Sequence, residues 1–343
     1  MDNAPTLFTG LDLHKRTIVA TTLDAHGQQI EHATLPCHRD ALRPYFARHD
    51  GEHCATVEAT TGWYWVKDTL APLGVELRLA HAKGVRAITT AKVKTDAADA
   101  LTLAQLLRVD MLPQAHIIGD ELRPLRDVLR SRLRLVERRV AALNSIHRLL
   151  EKMNVADVAD LPDLMQLQAQ CHLDQITLLD TQIKALERAL HPHLVPDAHV
   201  QRLLRIPGIG KAVAFTIRLE VDDIARFPDE RHFFSYCRLV PGADNSGGRV
   251  RSKPSKEGNV YLKIAFSHAG VRAVQYYDEI RDYYRRLKRK KPEAVARTLV
   301  AKEIARIAYF VMRKEEDFNG RFKGKTLVRL KSEQWPLLPS PDA

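Results

Sequence analysis

From Asp120 to Met153 apolar residues recur every three or four positions without a break: Leu122, Leu125, Val128, Leu129, Leu135, Val136, Val140, Leu143, Ile146 and Leu150. That periodicity describes one long helix with a single apolar stripe, and a stripe of such length needs a partner to cover it. The partner is legible downstream, where Leu164 to Leu190 repeats the pattern after the Asp160-Leu161-Pro162-Asp163 break. Two long amphipathic helices on a short connector predict an antiparallel hairpin, a coiled-coil arm that also offers a dimerisation surface. Pro124 falls in the first turn of the first helix, where its missing N–H costs little. The opposite faces of that helix carry eight arginines, Arg123, Arg126, Arg130, Arg132, Arg134, Arg138, Arg139 and Arg148, more than solubility requires.

The segment before the arm alternates differently. Leu7 to Leu13, Thr17 to Leu23 and Gln29 to Leu35 read as strands, with a tight hairpin at His14-Lys15-Arg16. Arg39 to Arg48 reads as a helix, Cys54 to Glu58 as a short buried strand, Trp63 to Leu70 as a helix and Val75 to Leu79 as a fifth strand. Thr95 to Arg108 has strong helical periodicity. The order β-β-β-α-β-α-β-α is that of a ribonuclease-H-like domain, a mixed sheet covered by helices. After the arm the chain reads as mostly helical, with a loop-rich centre from Pro241 to Asn259. The expected fold class is therefore α/β plus all-α, in four parts: 1–113 the sheet domain, 114–199 the arm, 200–325 a helical domain and 326–343 a tail.

Charge separates these parts. Of 53 Lys+Arg and 42 Asp+Glu, residues 1–113 hold 12 and 13, so the whole formal excess of +11 lies downstream. That asymmetry suits a chain in which one part does chemistry and another grips a polyanion. No apolar run approaches the length that spans a bilayer, and the N-terminus lacks the pattern of a signal peptide. The four cysteines are scattered with no C-x-x-C pair, which argues against a zinc site or disulfide framework and fits a reducing cytoplasm.

Four carboxylates carry the chemical argument. Asp12 ends the first strand and Glu58 the fourth, and these strands are neighbours in a ribonuclease-H-like sheet. Asp96 and Asp99 share one face of the first turn of the following helix. Converging there they would repel unless divalent cations neutralised them, and oxygen-rich sites of this kind hold magnesium or manganese for phosphodiester chemistry. A helix-capping Asp96 with Asp12 and Glu58 as surface residues is the plainer alternative.

Three further stretches suit nucleic acid. Arg205-Ile206-Pro207-Gly208-Ile209-Gly210-Lys211 resembles a helix-hairpin-helix turn, in which backbone N–H groups and Lys211 meet a phosphate; a turn between packed helices would look the same. The loop from Pro241 to Asn259 combines glycines and hydroxyls with Arg249, Arg251, Lys253 and Lys256. A serine held among such cations is a candidate nucleophile, although chemistry alone favours a phosphate-gripping loop with no covalent role and does not choose between Ser246, Ser252 and Ser255. Finally Arg281, Arg285, Arg286, Lys288, Arg289, Lys290 and Lys291 cluster beside Tyr276, Tyr277, Tyr283 and Tyr284, where rings can stack on bases, a solvated helix end being the plainer alternative.

Taken in order, Gly10-Leu11-Asp12, Glu58-Ala59-Thr60-Thr61-Gly62, Lys94-Thr95-Asp96-Ala97-Ala98-Asp99-Ala100, Ile206-Pro207-Gly208-Ile209-Gly210 and Asn245-Ser246-Gly247-Gly248 with Ser255-Lys256-Glu257-Gly258-Asn259 resemble the insertion sequence one-ten family of transposases. The likeness runs from about residue 7 to 315 and joins a DEDD, RuvC-like half to a serine-bearing half. It implies a DNA recombinase that excises and inserts its element, in some members with a structured bridge RNA that pairs with target and donor DNA. It implies Mg2+ on Asp12, Glu58, Asp96 and Asp99, and Ser246 attacking phosphate to give a covalent phosphoserine. It also implies a homo-oligomer, a dimer of dimers joined through the helical middle, whose active sites draw their two halves from different protomers. Arg126, Arg130, Arg134 and Arg138 would then hold RNA or join protomers. One departure is Pro254 ahead of Ser255, in a stretch that the family often fills with glycine and isoleucine. The rival readings are a hydrolytic, junction-resolving nuclease without a covalent step, and a non-catalytic nucleic-acid scaffold.

Overall fold

The computed structural model describes residues 7–49, 51–89, 95–246, 249–253 and 257–328, with the backbone alone over 242–253. Contacts divide the chain into two compact units between Ile117 and Ile118.

The first unit runs β1 (Leu7–Leu13), β2 (Thr17–Asp24), β3 (Gln29–Pro36), α1 (Arg39–Ala47), β4 (His53–Glu58), α2 (Trp63–Leu70), β5 (Glu76–Ala80), α3 (Ala82–Ile88) and α4 (Asp96–Arg108). Its five strands form one mixed sheet in the order β3-β2-β1-β4-β5, antiparallel from β3 to β1 and parallel from β1 to β5. The expected strands are present, β1 and β4 are neighbours, and α3 is an addition to the expected order.

Alternation along the strands loads both faces of this sheet. Leu11, Ala55 and Val57 face one way, into a core with Tyr45 and Phe46 of α1 and Trp63 and Val66 of α2. Phe8, Cys54 and Ala80 face the other, against Leu103, Leu106 and Leu107 of α4. Gly10 shares this second face. A Cβ there would overlap the Ala100 carbonyl oxygen and the Ala104 nitrogen, so the missing side chain is what lets the α4 backbone lie directly on β1.

The second unit opens with α5 (Leu122–Met153) and α6 (Asp163–Leu190), close to the two runs read from periodicity. Asn154, left-handed at φ 52°, ends α5, and Pro162 precedes α6. Arg132 pairs with Glu187 and Arg139 with Asp180, so numbers rise along one helix as they fall along the other and the pair is antiparallel. Then follow α7 (Ala198–Leu204), α8 (Lys211–Val221), α9 (Glu230–Tyr236), β6 (Gly242–Ser246), β7 (Arg249–Lys253), α10 (Val260–Tyr276), α11 (Asp278–Lys288), α12 (Glu293–Lys314), β8 (Arg321–Phe322) and β9 (Lys325–Thr326). Phe233, Phe266, Ile304 and Ala305 lie at the centre of its core, and Leu122, Leu125 and Leu129 pack the foot of α5 onto it.

The segment read as a loop contains an antiparallel ladder, Gly242 opposite Lys253 through Ser246 opposite Arg249. Val250 is the only branched apolar residue in it, too few for the alternation that marks a strand, so the pair Gly247-Gly248 between the strands is its one local signal. No helix among the described residues is long and apolar enough to cross a membrane.

Candidate functional site

The carboxylates come first. Leu11 opposite Val57 is the last pair between β1 and β4, so Asp12 and Glu58 follow side by side near the ends of neighbouring parallel strands. By alternation both belong to the face covered by α4, the face that Gly10 leaves open. Thr95 caps α4, its hydroxyl accepting from the Ala98 N–H at 3.2 Å, which places Asp96 and Asp99 in the first turn. Asp96 is therefore not the cap, and its charge sits at the positive end of the helix.

Asp12 and Asp96 meet through a residue that the sequence reading passed over as a turn. The His14 Nε2 lies 2.9 Å from Asp12 Oδ2 and 3.2 Å from Asp96 Oδ2. Asp12, His14 and Asp96 each offer a ligand atom within 4.8 Å of the others, the one such trio among the described residues. Glu58 and Asp99 are outside that trio. Asp99 still acts on it: burial raises the Asp12 pKa, His14 opposes the rise, and the charges of Asp99 and Asp96 add to it. Excess negative potential around oxygen and imidazole donors fits a divalent cation. His14 was findable by alternation, two positions beyond Asp12 on the same strand path.

The second group lies in the second unit. Ser246 is the last residue of β6, paired in register with Arg249, the first of β7. Arg251 and Lys253 follow at alternate positions, opposite Asp244 and Gly242. Lys256 and Ser255 lie outside the described residues. Lys211 opens α8, directly after the turn at Ile206-Pro207-Gly208-Ile209-Gly210. That turn is packed: Ile206 and Ile209 are buried, and Gly208 (φ 80°) is set so close to α10 that a Cβ would overlap the Ala269 carbonyl oxygen. On α11, Arg285 is 67% exposed beside Asp282, and Lys288 pairs with Glu293 at 3.3 Å. Arg286 lies on the same helix.

The arginines of α5 have partners within the protein. Arg123 pairs with Asp120, Arg132 with Glu187, and Arg139 with Asp180. Arg130 grips the buried Glu220, and Arg134 donates to the Tyr261 hydroxyl at 2.8 Å. Arg126 lines a small hollow with Arg130, Thr216, Glu220 and Tyr261, whereas Arg138 is exposed. Packing of the hairpin and of α8 thus accounts for much of an arginine count that looked like a nucleic-acid signal. Glu220 and Tyr261 escaped the sequence reading because partners 90 and 127 positions away leave no local trace.

Two family models match the chain. Residues 9–155 match one described as a transposase, of the DEDD type of IS110, and residues 200–285 match the transposase family IS116/IS110/IS902. A probable family 20 transposase of Pseudomonas aeruginosa is 26% identical over 331 residues, 89% of this chain and 96% of that one. The transposase for insertion sequence element IS1328 of Yersinia enterocolitica is 26% identical over 212 residues, 56% of this chain and 62% of its own. That for IS1111A of Coxiella burnetii is 26% identical over 243 residues, 64% and 65% of the two chains.

Proposed function

The chain belongs to the IS116/IS110/IS902 family of transposases, and on that premise we propose that it cuts and rejoins DNA strands through a covalent serine–DNA intermediate, with Ser246 as nucleophile. The observation that carries the reading is the junction of Asp12 and Asp96, brought from sequence positions far apart to within reach of one His14 nitrogen. The sheet on which they sit is read as ribonuclease-H-like.

In this reading Asp12, Glu58, Asp96 and Asp99 would hold Mg2+, with the His14 imidazole between Asp12 and Asp96. Bound by those carboxylates, a divalent cation would supply Lewis-acid stabilisation of charge on the phosphate oxygens. Ser246 forms a new P–O bond through Oγ as the P–O bond to the leaving strand breaks. Its proton passes out and the leaving oxygen takes one up, so phosphodiester number is conserved and rejoining needs no external energy source. Arg249, Arg251 and Lys253, with Lys256, would grip the phosphate oxygens around the reacting bond. Lys211, Arg285, Arg286, Lys288 and the outward arginines of α5, Arg138 foremost, would hold backbone. Arg126, Arg130 and Arg134 stand further back, among protein partners.

The proposal extends to a bridge RNA that supplies base pairing, so that target choice lies outside the side chains. It extends also to a homo-oligomer through the hairpin, which exposed Leu164, Leu167 and Leu178 on α6 support. The four-part division at 113, 199 and 325 remains part of this proposal.

The test incubates full-length protein with Mg2+ and labelled DNA carrying the element's junction, with and without the flanking non-coding RNA. An adduct that survives denaturation and disappears in Ser246→Ala is the expected result. Free cleaved ends that persist in Ser246→Ala would mean a hydrolytic nuclease instead.

A further inference from the structure

Glu220 lies one residue before the end of α8, only 4% exposed, between the buried Leu219 and Val221. A carboxylate in such a place persists only when its charge and lone pairs are met. Arg130 of α5 meets it with two N–H groups, at 2.5 Å to Oε1 and 2.6 Å to Oε2. The Asn259 Nδ2 donates to Oε2 at 2.6 Å.

Asn259 is committed at its other end too. Its Oδ1 accepts from the N–H groups of Tyr261 and Leu262, at 2.9 and 3.1 Å, and so caps α10. One amide that must donate toward Glu220 and accept from α10 has a single workable orientation. The Asn259 N–H donates to the Tyr236 carbonyl at 2.6 Å, and Arg238 Nε donates to the Gly258 carbonyl at 2.7 Å. Tyr236 and Arg238 precede β6, while Gly258 and Asn259 follow β7. These bonds therefore close the base of the hairpin whose first strand ends in Ser246. Arg130 completes the link by lying over the Tyr261 ring at 4.6 Å.

We infer that Glu220 is a positioning residue, tying the base of the Ser246 hairpin to arm helix α5 through Asn259 on one side and Arg130 on the other. It touches no reacting atom. An apolar residue would fill the same space, so the carboxylate is there for its directional bonds, and the set of the arm is passed to the hairpin. The inference rests on Ser246 being the nucleophile.

The test uses the full chain. Glu220→Gln keeps the shape and removes the charge, Arg130→Met removes the fork, and Arg130→Lys keeps the charge without it. In protein without DNA, hydrogen exchange in peptides covering 236–241 and 257–262 should quicken by about tenfold in Glu220→Gln and Arg130→Met, while α12 stays at the wild-type rate. With junction DNA and RNA, single-turnover cleavage per bound complex should fall about tenfold or more, with DNA affinity changed less than about twofold. Arg130→Lys should recover part of the rate, and the double variant Arg130→Met/Glu220→Gln should be no slower than the worse single one. Should Arg130→Met fail to fold, Glu220→Gln carries the same two measurements. Unchanged exchange at the hairpin base would overturn the inference, as would weakened DNA binding at a wild-type rate per complex. Ser246→Ala is run alongside: if it still cleaves, leaving free ends, the nucleophile reading falls while exchange still judges the anchor.

Discussion

Thr9 and His53 share a 2.5 Å hydrogen bond inside the sheet unit, and the line continues from Thr9 to Thr22 and from Thr22 to Tyr45 at 2.7 Å each. The imidazole is 6% exposed, and burial, helped by His49, pushes its pKa from 6.5 down to about 4. A histidine that folds neutral gives stability that is complete above its unfolded pKa. Between about pH 6.5 and pH 4 the unfolded chain binds the proton first, so stability falls as pH falls, by about 3 kcal/mol at the lower end. Urea unfolding at a series of pH values should show that slope, and His53→Gln should flatten it.

Asp12 has the opposite sign. Its pKa is raised in the folded protein, by burial and then by Asp99 and Asp96 against the pull of His14, so its ionised form costs stability. Asp12→Asn should leave the unfolding temperature unchanged or higher. Millimolar Mg2+ should raise the wild-type unfolding temperature by about 2–5 °C and the Asp12→Asn temperature by much less, as expected of a ligand bound to the native state alone. A strong fall in Asp12→Asn stability without metal would mean that the carboxylate is structural.

Gly10→Ala would drive a methyl group into the Ala100 carbonyl oxygen. Helix α4 must then lift from β1, at a cost of about 1–3 kcal/mol. The lift would also carry Asp96 away from His14 and Asp12. Denaturant unfolding should show the loss, and DNA cleavage should fall further than the stability change explains.

Two arginines of α5 should behave very differently. Arg139 and Asp180 are 37% and 41% exposed, so Arg139→Ala should cost about 0.2–1 kcal/mol and less in high salt. Arg130→Met strands the Glu220 carboxylate, 2% exposed, and should cost about 3–5 kcal/mol with little salt dependence. Comparable losses from both would show that the Glu220 pair is more solvated than its geometry indicates.

Periodicity made the scaffold legible. The alternation around Leu11 and Val57, and the three-four spacing from Leu122 to Leu150, report which face is buried without knowledge of the partner, and those elements lie where expected. Asp12, Glu58, Asp96 and Asp99 could be named because strand ends and first helical turns are local features. What escaped was pairing across distance. His14 looked like turn chemistry, and nothing near Glu220 announces Arg130 or Asn259. The Ser246 hairpin escaped for another reason: its strands carry almost no apolar residues, so no hydrophobic alternation marks the ladder.

The Arg132–Glu187 and Arg139–Asp180 pairs are separated by seven residues on each helix. Sliding one helix past the other by a single turn would break both at once and bring no other acidic residue into their place. The two pairs therefore favour one register of the hairpin over its one-turn neighbours, while swinging or bending of the whole hairpin leaves both intact. Helix α5 alone is 32 residues, roughly 48 Å at 1.5 Å per residue, with its foot packed in the helical core. Over that length a small tilt at the foot becomes a large sweep at the far end.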